Sequence, residues 1–116
     1  MHLYQLKIVI KKNKTDQFVD NLYSLSRGFR KEKGCLEYSV YRDSEKENTY
    51  NVVGEYKTRQ AMEKHFQTQN FEVLTGVARV LGETFEMNIA DVLKTGGFNL
   101  HREQLASRQR GRTASN

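Results

Sequence analysis

Apolar and polar positions alternate weakly over residues 3–10, LYQLKIVI, and end in a β-branched run, the pattern of a first strand. The period then changes. Phe18, Leu22, Leu25 and Phe29 recur at helical spacing, so a helix is predicted with Asn13 or Thr15 as its cap and Gly34 as its stop. Strand periodicity returns in CLEYSVYRD, residues 35–43, where Leu36, Tyr38 and Val40 are expected on one face and Cys35, Glu37, Ser39 and Tyr41 on the other. The polar turn SEKEN leads into TYNVVGEY, residues 49–56, completing a hairpin. Gly54 inside that strand predicts a bulge or the close approach of something large. Thr58 is predicted to cap a second helix with Ala61, Met62, His65 and Phe66 on one side. Asn70 then opens a further turn carrying Phe71, Leu74, Ala78 and Leu81. The last strand, ETFEMNIADVL, spans 83–93.

The resulting order, β-α-β-β-α-β, is a ferredoxin-like α+β fold: an antiparallel sheet with both helices on one face. Strands two to four carry apolar or aromatic residues on both faces, Tyr38, Tyr41, Tyr50 and Tyr56 among them, so the other face is expected to be rich in Tyr and Val. Such a patch marks an interface, and a homodimer closing sheet against sheet is the expectation.

Composition adds limits. The chain has 116 residues, one cysteine and no proline, which fits a single domain without an internal disulfide. No apolar run approaches the roughly 20 residues of a membrane span, and the N-terminal apolar stretch precedes its positive charges, unlike a signal peptide. A cytoplasmic protein is expected. His2, His65 and His101 are too scattered for metal-ligand spacing, so no metal is expected. The net charge of +5 is uneven. After Thr95 the composition becomes polar and basic, with Arg102, Arg108, Arg110 and Arg112 against Glu103. The division is therefore a domain over 1–95 and a basic extension over 96–116, in which Leu100 and Leu105 anchor a short helix and the end is mobile. A few arginines without interleaved aromatics are a weak nucleic-acid signal, and nucleic-acid binding is not expected.

The run GCLEYSVYRDSEKENTYNVVGEYKTRQAMEKHFQTQNF resembles the antibiotic biosynthesis monooxygenase family. The resemblance lies in Gly34-Cys35 after the first helix, the hairpin ending in Glu55-Tyr56, the capped helix with Ala61 four residues before His65, and Asn70-Phe71 where the family often has His-Phe. It covers about residues 1–93 and implies a dimeric α+β barrel of ferredoxin-like subunits. Some members are cofactor-independent oxygenases of polyphenols and quinols, some degrade haem, and one group isomerises a phosphorylated sugar. The haem-degrading members use a Trp on the second helix and an Asn on the first strand. This chain has no Trp and offers no such Asn, so that chemistry is disfavoured.

The expectation is therefore a small hydrophobic or aromatic ligand held between sheet and helices, and oxygenation without a cofactor. A deprotonated hydroquinone reduces oxygen itself, and the protein has to hold it and move a proton. His65 is the candidate base, because its ordinary pKa lies near the working pH. Tyr38, Asn51 and Tyr56 are candidates to position the substrate, and Phe66 and Phe71 to wall it. A strand face is legible only to one register step, which would move these sheet residues to the other side. A histidine beside Met62 and Phe66 is equally a packed structural residue. Two alternatives stand: an isomerase of a small carbonyl compound using His65 with Lys7 or Arg79, and a non-catalytic binding module that docks through its basic tail.

Overall fold

The structure is a computed structural model that describes the backbone of residues 1–114 and the side chains of residues 1–107. Four strands form one antiparallel sheet: β1 (His2–Ile10), β2 (Cys35–Arg42), β3 (Thr49–Tyr56) and β4 (Gly82–Asp91), in spatial order β2-β3-β1-β4. Helices α1 (Thr15–Arg30), α2 (Arg59–Phe66) and α3 (Gln69–Leu81) cover one face, and α4 (Phe98–Ala114) follows the last strand. This is the ferredoxin-like order read from the pattern, with the second crossover split into two helices.

The alternation of β1 decides which face is core. Tyr4, Leu6, Ile8 and Ile10 are buried beneath the helices, while Gln5 and Lys7 are exposed on the other side. Register carries this choice across the sheet. Leu6 stands opposite Val52 and Ile8 opposite Tyr50, and Val40 stands opposite Val52. Facing them, α1 buries Phe18, Leu22, Ser26 and Phe29, and α3 buries Phe71, Leu74, Ala78 and Leu81. Apolar burial of this kind is the main stabilising term of a domain this small.

Several boundaries differ from the expectation. No side chain caps α1: a turn of 3-10 helix over Lys12–Lys14 leads straight into Thr15. Thr68 rather than Asn70 caps α3, its hydroxyl accepting from the Phe71 amide. The register of β2 shifts between Cys35 and Glu37, and Leu36 is left exposed at that irregularity instead of sharing a face with Tyr38. The open sheet face is not the Tyr- and Val-rich surface expected. Tyr38, Tyr50 and Tyr56 all point toward the helices and are buried, and only Tyr41 lies on the open face, opposite Asn51. A single register step separates the two outcomes.

The exposed apolar surface lies elsewhere. Phe85, Met87 and Ile89 on the edge strand β4 share the core face with Ile8, Leu6 and Tyr4, yet stay 41%, 37% and 59% exposed. Beyond it, α4 is longer than the short helix expected and projects from the body. The radius of gyration is 17.6 Å, against roughly 13 Å for a compact chain of this length. Side chains from 108 onward, including Arg108, Arg110 and Arg112, and the expected mobile end fall outside the residues whose side chains are described.

Candidate functional site

His65 closes the last turn of α2, whose first turn is set by Thr58 accepting from the Ala61 amide. Its own carbonyl accepts from the Thr68 hydroxyl at 2.7 Å, so one threonine both ends this helix and starts the next. The ring is therefore fixed from two sides, and it is 1% exposed. Aromatic rings box it in: Phe29 at 4.6 Å between centroids, Phe71 at 5.0 Å, Tyr56 at 5.1 Å and Tyr4 at 5.3 Å.

Both ring nitrogens are engaged. Nδ1 lies 2.7 Å from Glu32 Oε1, and Nε2 lies 2.7 Å from the Tyr4 hydroxyl. Tyr4 and Tyr38 hydroxyls are 2.8 Å apart, and Tyr56 donates to the same Glu32 oxygen at 3.0 Å. The result is a continuous chain, Tyr38–Tyr4–His65–Glu32, with Tyr56 bracing its acidic end. No described buried side-chain N or O lacks a partner, as a polar network in an apolar core must arrange.

Local features of the sequence build this chain. Gly34, at φ +85°, turns the chain from α1 into β2 and leaves Glu32 in the connecting turn, above the end of β3. Gly54 lies between Tyr4 and Tyr38 on the neighbouring strands. A Cβ there would meet Tyr4 Cε1 at 2.6 Å and Tyr38 ring atoms at 3.2 Å. The close approach inferred for Gly54 is thus the packing of two tyrosine rings, and that packing brings their hydroxyls together.

The electrostatics follow from burial. Desolvation pushes the His65 pKa below its ordinary value, while the Glu32 charge and hydrogen bond oppose the shift. His65 is neutral at pH 7, donating from Nδ1 to Glu32 and accepting at Nε2 from Tyr4, with Tyr38 donating to Tyr4. Protonation reverses the row: Nε2–H donates to Tyr4, and Tyr4 to Tyr38. Burial raises the pKa values of Tyr4, Tyr38 and Tyr56 far above their ordinary value. The three tyrosines are therefore neutral hydroxyls at pH 7. Cys35, half-buried at the margin of this cluster, is also raised, first by desolvation.

The structure brings His65, Tyr38 and Tyr56 together with Phe66 and Phe71, which pack on Tyr4 at 5.0 and 5.8 Å. It separates Asn51 from them. Asn51 pairs with Lys7 and Tyr41 on the open face, so it is not part of this site. Lys7 shares that face, and Arg79 is exposed on α3, so neither supplies a cation beside His65. Sequence reasoning missed Tyr4 and Glu32. Tyr4 carried a signal, a hydroxyl-tipped aromatic in step with Leu6 and Ile8 on a core face. Glu32 carried none within the charged turn RKEKG.

Beside the chain, a cleft of about 340 Å³ opens between α1 and β2. Val40, two residues along the same face as Tyr38, forms part of its floor, and Arg30 forms part of its wall. Arg30 Nε donates to the Tyr38 carbonyl at 3.0 Å, tying the wall to the chain. Among the described residues, no group of three His, Cys, Asp or Glu side chains is placed to hold a metal, and no helix is long and apolar enough to cross a membrane.

Residues 1–74 match the sequence model of the antibiotic biosynthesis monooxygenase family. The chain belongs to this family. All five residues of the hydrogen-bonded network lie within the matched stretch. The protein sll1783 of Synechocystis is 28% identical over 89 residues, which make up 76% of this chain but 60% of that protein. YcnE of Bacillus subtilis, which carries the provisional name of a monooxygenase, is 29% identical over 72 residues, covering 62% of this chain and 76% of YcnE. Among solved structures, an antibiotic biosynthesis monooxygenase superposes with a TM-score of 0.75 at 20% identity, covering 81% of this chain and all of that one. Rv0793 from Mycobacterium tuberculosis superposes with a TM-score of 0.76 at 13% identity, covering 83% of this chain and 98% of that one. At these identities the structural likeness speaks for the fold alone.

Proposed function

We infer that this family member is a cofactor-independent monooxygenase of a small aromatic, quinol-like substrate. The observation that carries this is the buried Tyr38–Tyr4–His65–Glu32 chain, whose Tyr38 backbone carbonyl accepts a hydrogen bond from Arg30 in the wall of the cleft.

The substrate ring lies in the cleft and its ionising hydroxyl gives a proton toward Tyr38. Tyr38 is 2% exposed, so this step requires a local opening of the cleft's inner wall. As Tyr38 and Tyr4 each pass a proton on, His65 Nε2 receives one and Glu32 stabilises the imidazolium. The substrate anion gives one electron to O2, and the radical pair combines as a peroxide at a ring carbon that bears hydrogen. The stored proton returns to that peroxide. Loss of water then leaves a carbonyl, so one oxygen atom stays on the substrate and the other leaves as water. The working form is a homodimer in which a second chain covers Phe85, Met87 and Ile89. The unit boundary at residue 95, with α4 as a separate extension, belongs to the same proposal.

The test is oxygen uptake with a panel of hydroquinones, comparing wild type with His65→Ala. Uptake above background that the substitution removes supports the proposal. Proton exchange or carbonyl isomerisation without oxygen consumption would point to an isomerase built on the same chain of groups. No turnover of either kind would leave a binding module.

A further inference from the structure

The cleft under α1 has a composition that its neighbour, the histidine network, does not explain. Leu22, Val40 and Tyr50 form an apolar floor, and Tyr23 stands at the rim. Arg30, at the C-terminal end of α1, and Arg42, on β2, enter from two sides. Neither guanidinium lies within ion-pair distance of a described carboxylate: the described salt bridges join His2 to Asp91, His65 to Glu32 and Lys94 to Glu103. Glu45, Glu47 and Asp16 line the hollow on the far side of Arg42 and make no such pair with it. A third guanidinium, Arg27, sits 5.3 Å from the centre of the Tyr23 ring. Arg30 spends one N–H on the Tyr38 carbonyl and keeps its terminal nitrogens for a ligand.

We propose that this cleft selects an anionic aromatic substrate, a hydroxylated ring bearing a carboxylate, with the ring on the Leu22–Val40–Tyr50 floor and the carboxylate between Arg30 and Arg42. The proposal rests on the cofactor-independent monooxygenase reading for the identity of the site and adds the charge of the substrate. Guanidinium geometry suits a carboxylate, which accepts two parallel N–H bonds. An uncharged quinol would use neither guanidinium, whereas a carboxylate gives both a charged acceptor in place of water. Arg30 also couples the two halves of the site: the wall that holds the carboxylate is hydrogen-bonded to the backbone of Tyr38, the group at which the substrate proton enters the chain. A carboxylate anchored there holds the ring against the inner wall nearest to Tyr38.

The experiment compares gentisate with hydroquinone, the same ring with and without the carboxylate, by equilibrium dialysis under nitrogen. Gentisate is expected to bind at least about tenfold tighter at low ionic strength, the worth of one charge-assisted hydrogen bond. The preference should shrink as salt is added. Arg42→Gln and Arg30→Gln are each expected to remove most of the preference by weakening gentisate far more than hydroquinone, and Arg30→Gln to lower turnover as well. Equal affinities for the two rings, no saturable gentisate binding, or a preference that survives both substitutions would overturn the proposal. Because binding is read without oxygen, the two ideas separate. Arginine-dependent binding without oxygen uptake would overturn the oxygenase alone. Hydroquinone turnover without a carboxylate preference would overturn the anionic substrate alone.

Discussion

Tyr4→Phe removes one oxygen atom and should cost far more than one hydrogen bond. The hydroxyl bridges His65 Nε2 at 2.7 Å and the Tyr38 hydroxyl at 2.8 Å, in a place with no water access. Without it the neutral imidazole keeps an acceptor with nothing to accept, and Tyr38 loses its one described side-chain partner. Each buried orphan costs about 1–3 kcal/mol, so the two together cost about 2–6 kcal/mol. For a domain of this size that is a fall in Tm on the order of 10–30 °C. Tyr38→Phe is the control. It leaves Tyr4 still donating to His65 and should cost only about 1 kcal/mol. In the double variant the Tyr38 orphan no longer exists, so its cost should be less than the sum of the singles. Urea denaturation of the four proteins, with equal m values, measures all three quantities. A Tyr4→Phe loss below about 0.5 kcal/mol, or one no greater than that of Tyr38→Phe, would refute the assignment of a sealed network.

The remaining predictions concern packing, charge and assembly. Gly54→Ala should destabilise by about 1–3 kcal/mol, because its Cβ would fall 2.6 Å from a ring atom of the fully buried Tyr4; a thermal melt indistinguishable from wild type would rule that crowding out. The His65 imidazole should titrate below its ordinary pKa, and Glu32→Gln should lower it further by removing the groups that oppose desolvation; an upward shift in the NMR titration would show the sign to be wrong. Because the folded pKa is depressed, the neutral ring contributes stability above the unfolded value of about 6.5, and that contribution declines as pH falls from there toward the folded pKa. Met87→Glu should convert a dimer to a monomer of half the mass by light scattering, and a wild type that is already monomeric would remove the assigned role of the β4 stripe.

Much of the fold was legible because the signals were local. Phe18, Leu22, Leu25 and Phe29 repeat at the helical period and form one packed face with Leu25 partly buried, and the weak alternation of residues 3–10 marked a strand, whose Tyr4, Leu6 and Ile8 are buried. The facing of the hairpin was not legible. The shift at Cys35–Glu37 reassigns Leu36, and strands with apolar residues on both sides fit either register until the partner strand is known. His65 was recognisable as a candidate from its helix and from the family resemblance. Its partners were not. Glu32 is 33 residues away, in a turn of charged side chains, and meets the histidine only because Gly34 reverses the chain there. Asn51 illustrates the converse: a polar residue on the right strand but on the wrong face for the site.

The central claim is that substrate protons travel through Tyr38 and Tyr4 to His65. The most direct test is the rate of oxygen consumption by Tyr38→Phe, His65→Gln and the double variant, with the hydroquinone that wild type uses best. If the three groups act as one relay, each single substitution should lower kcat by about two orders of magnitude, and the double should be no slower than the slower single. Wild-type turnover by Tyr38→Phe, or losses that multiply in the double variant, would contradict the relay.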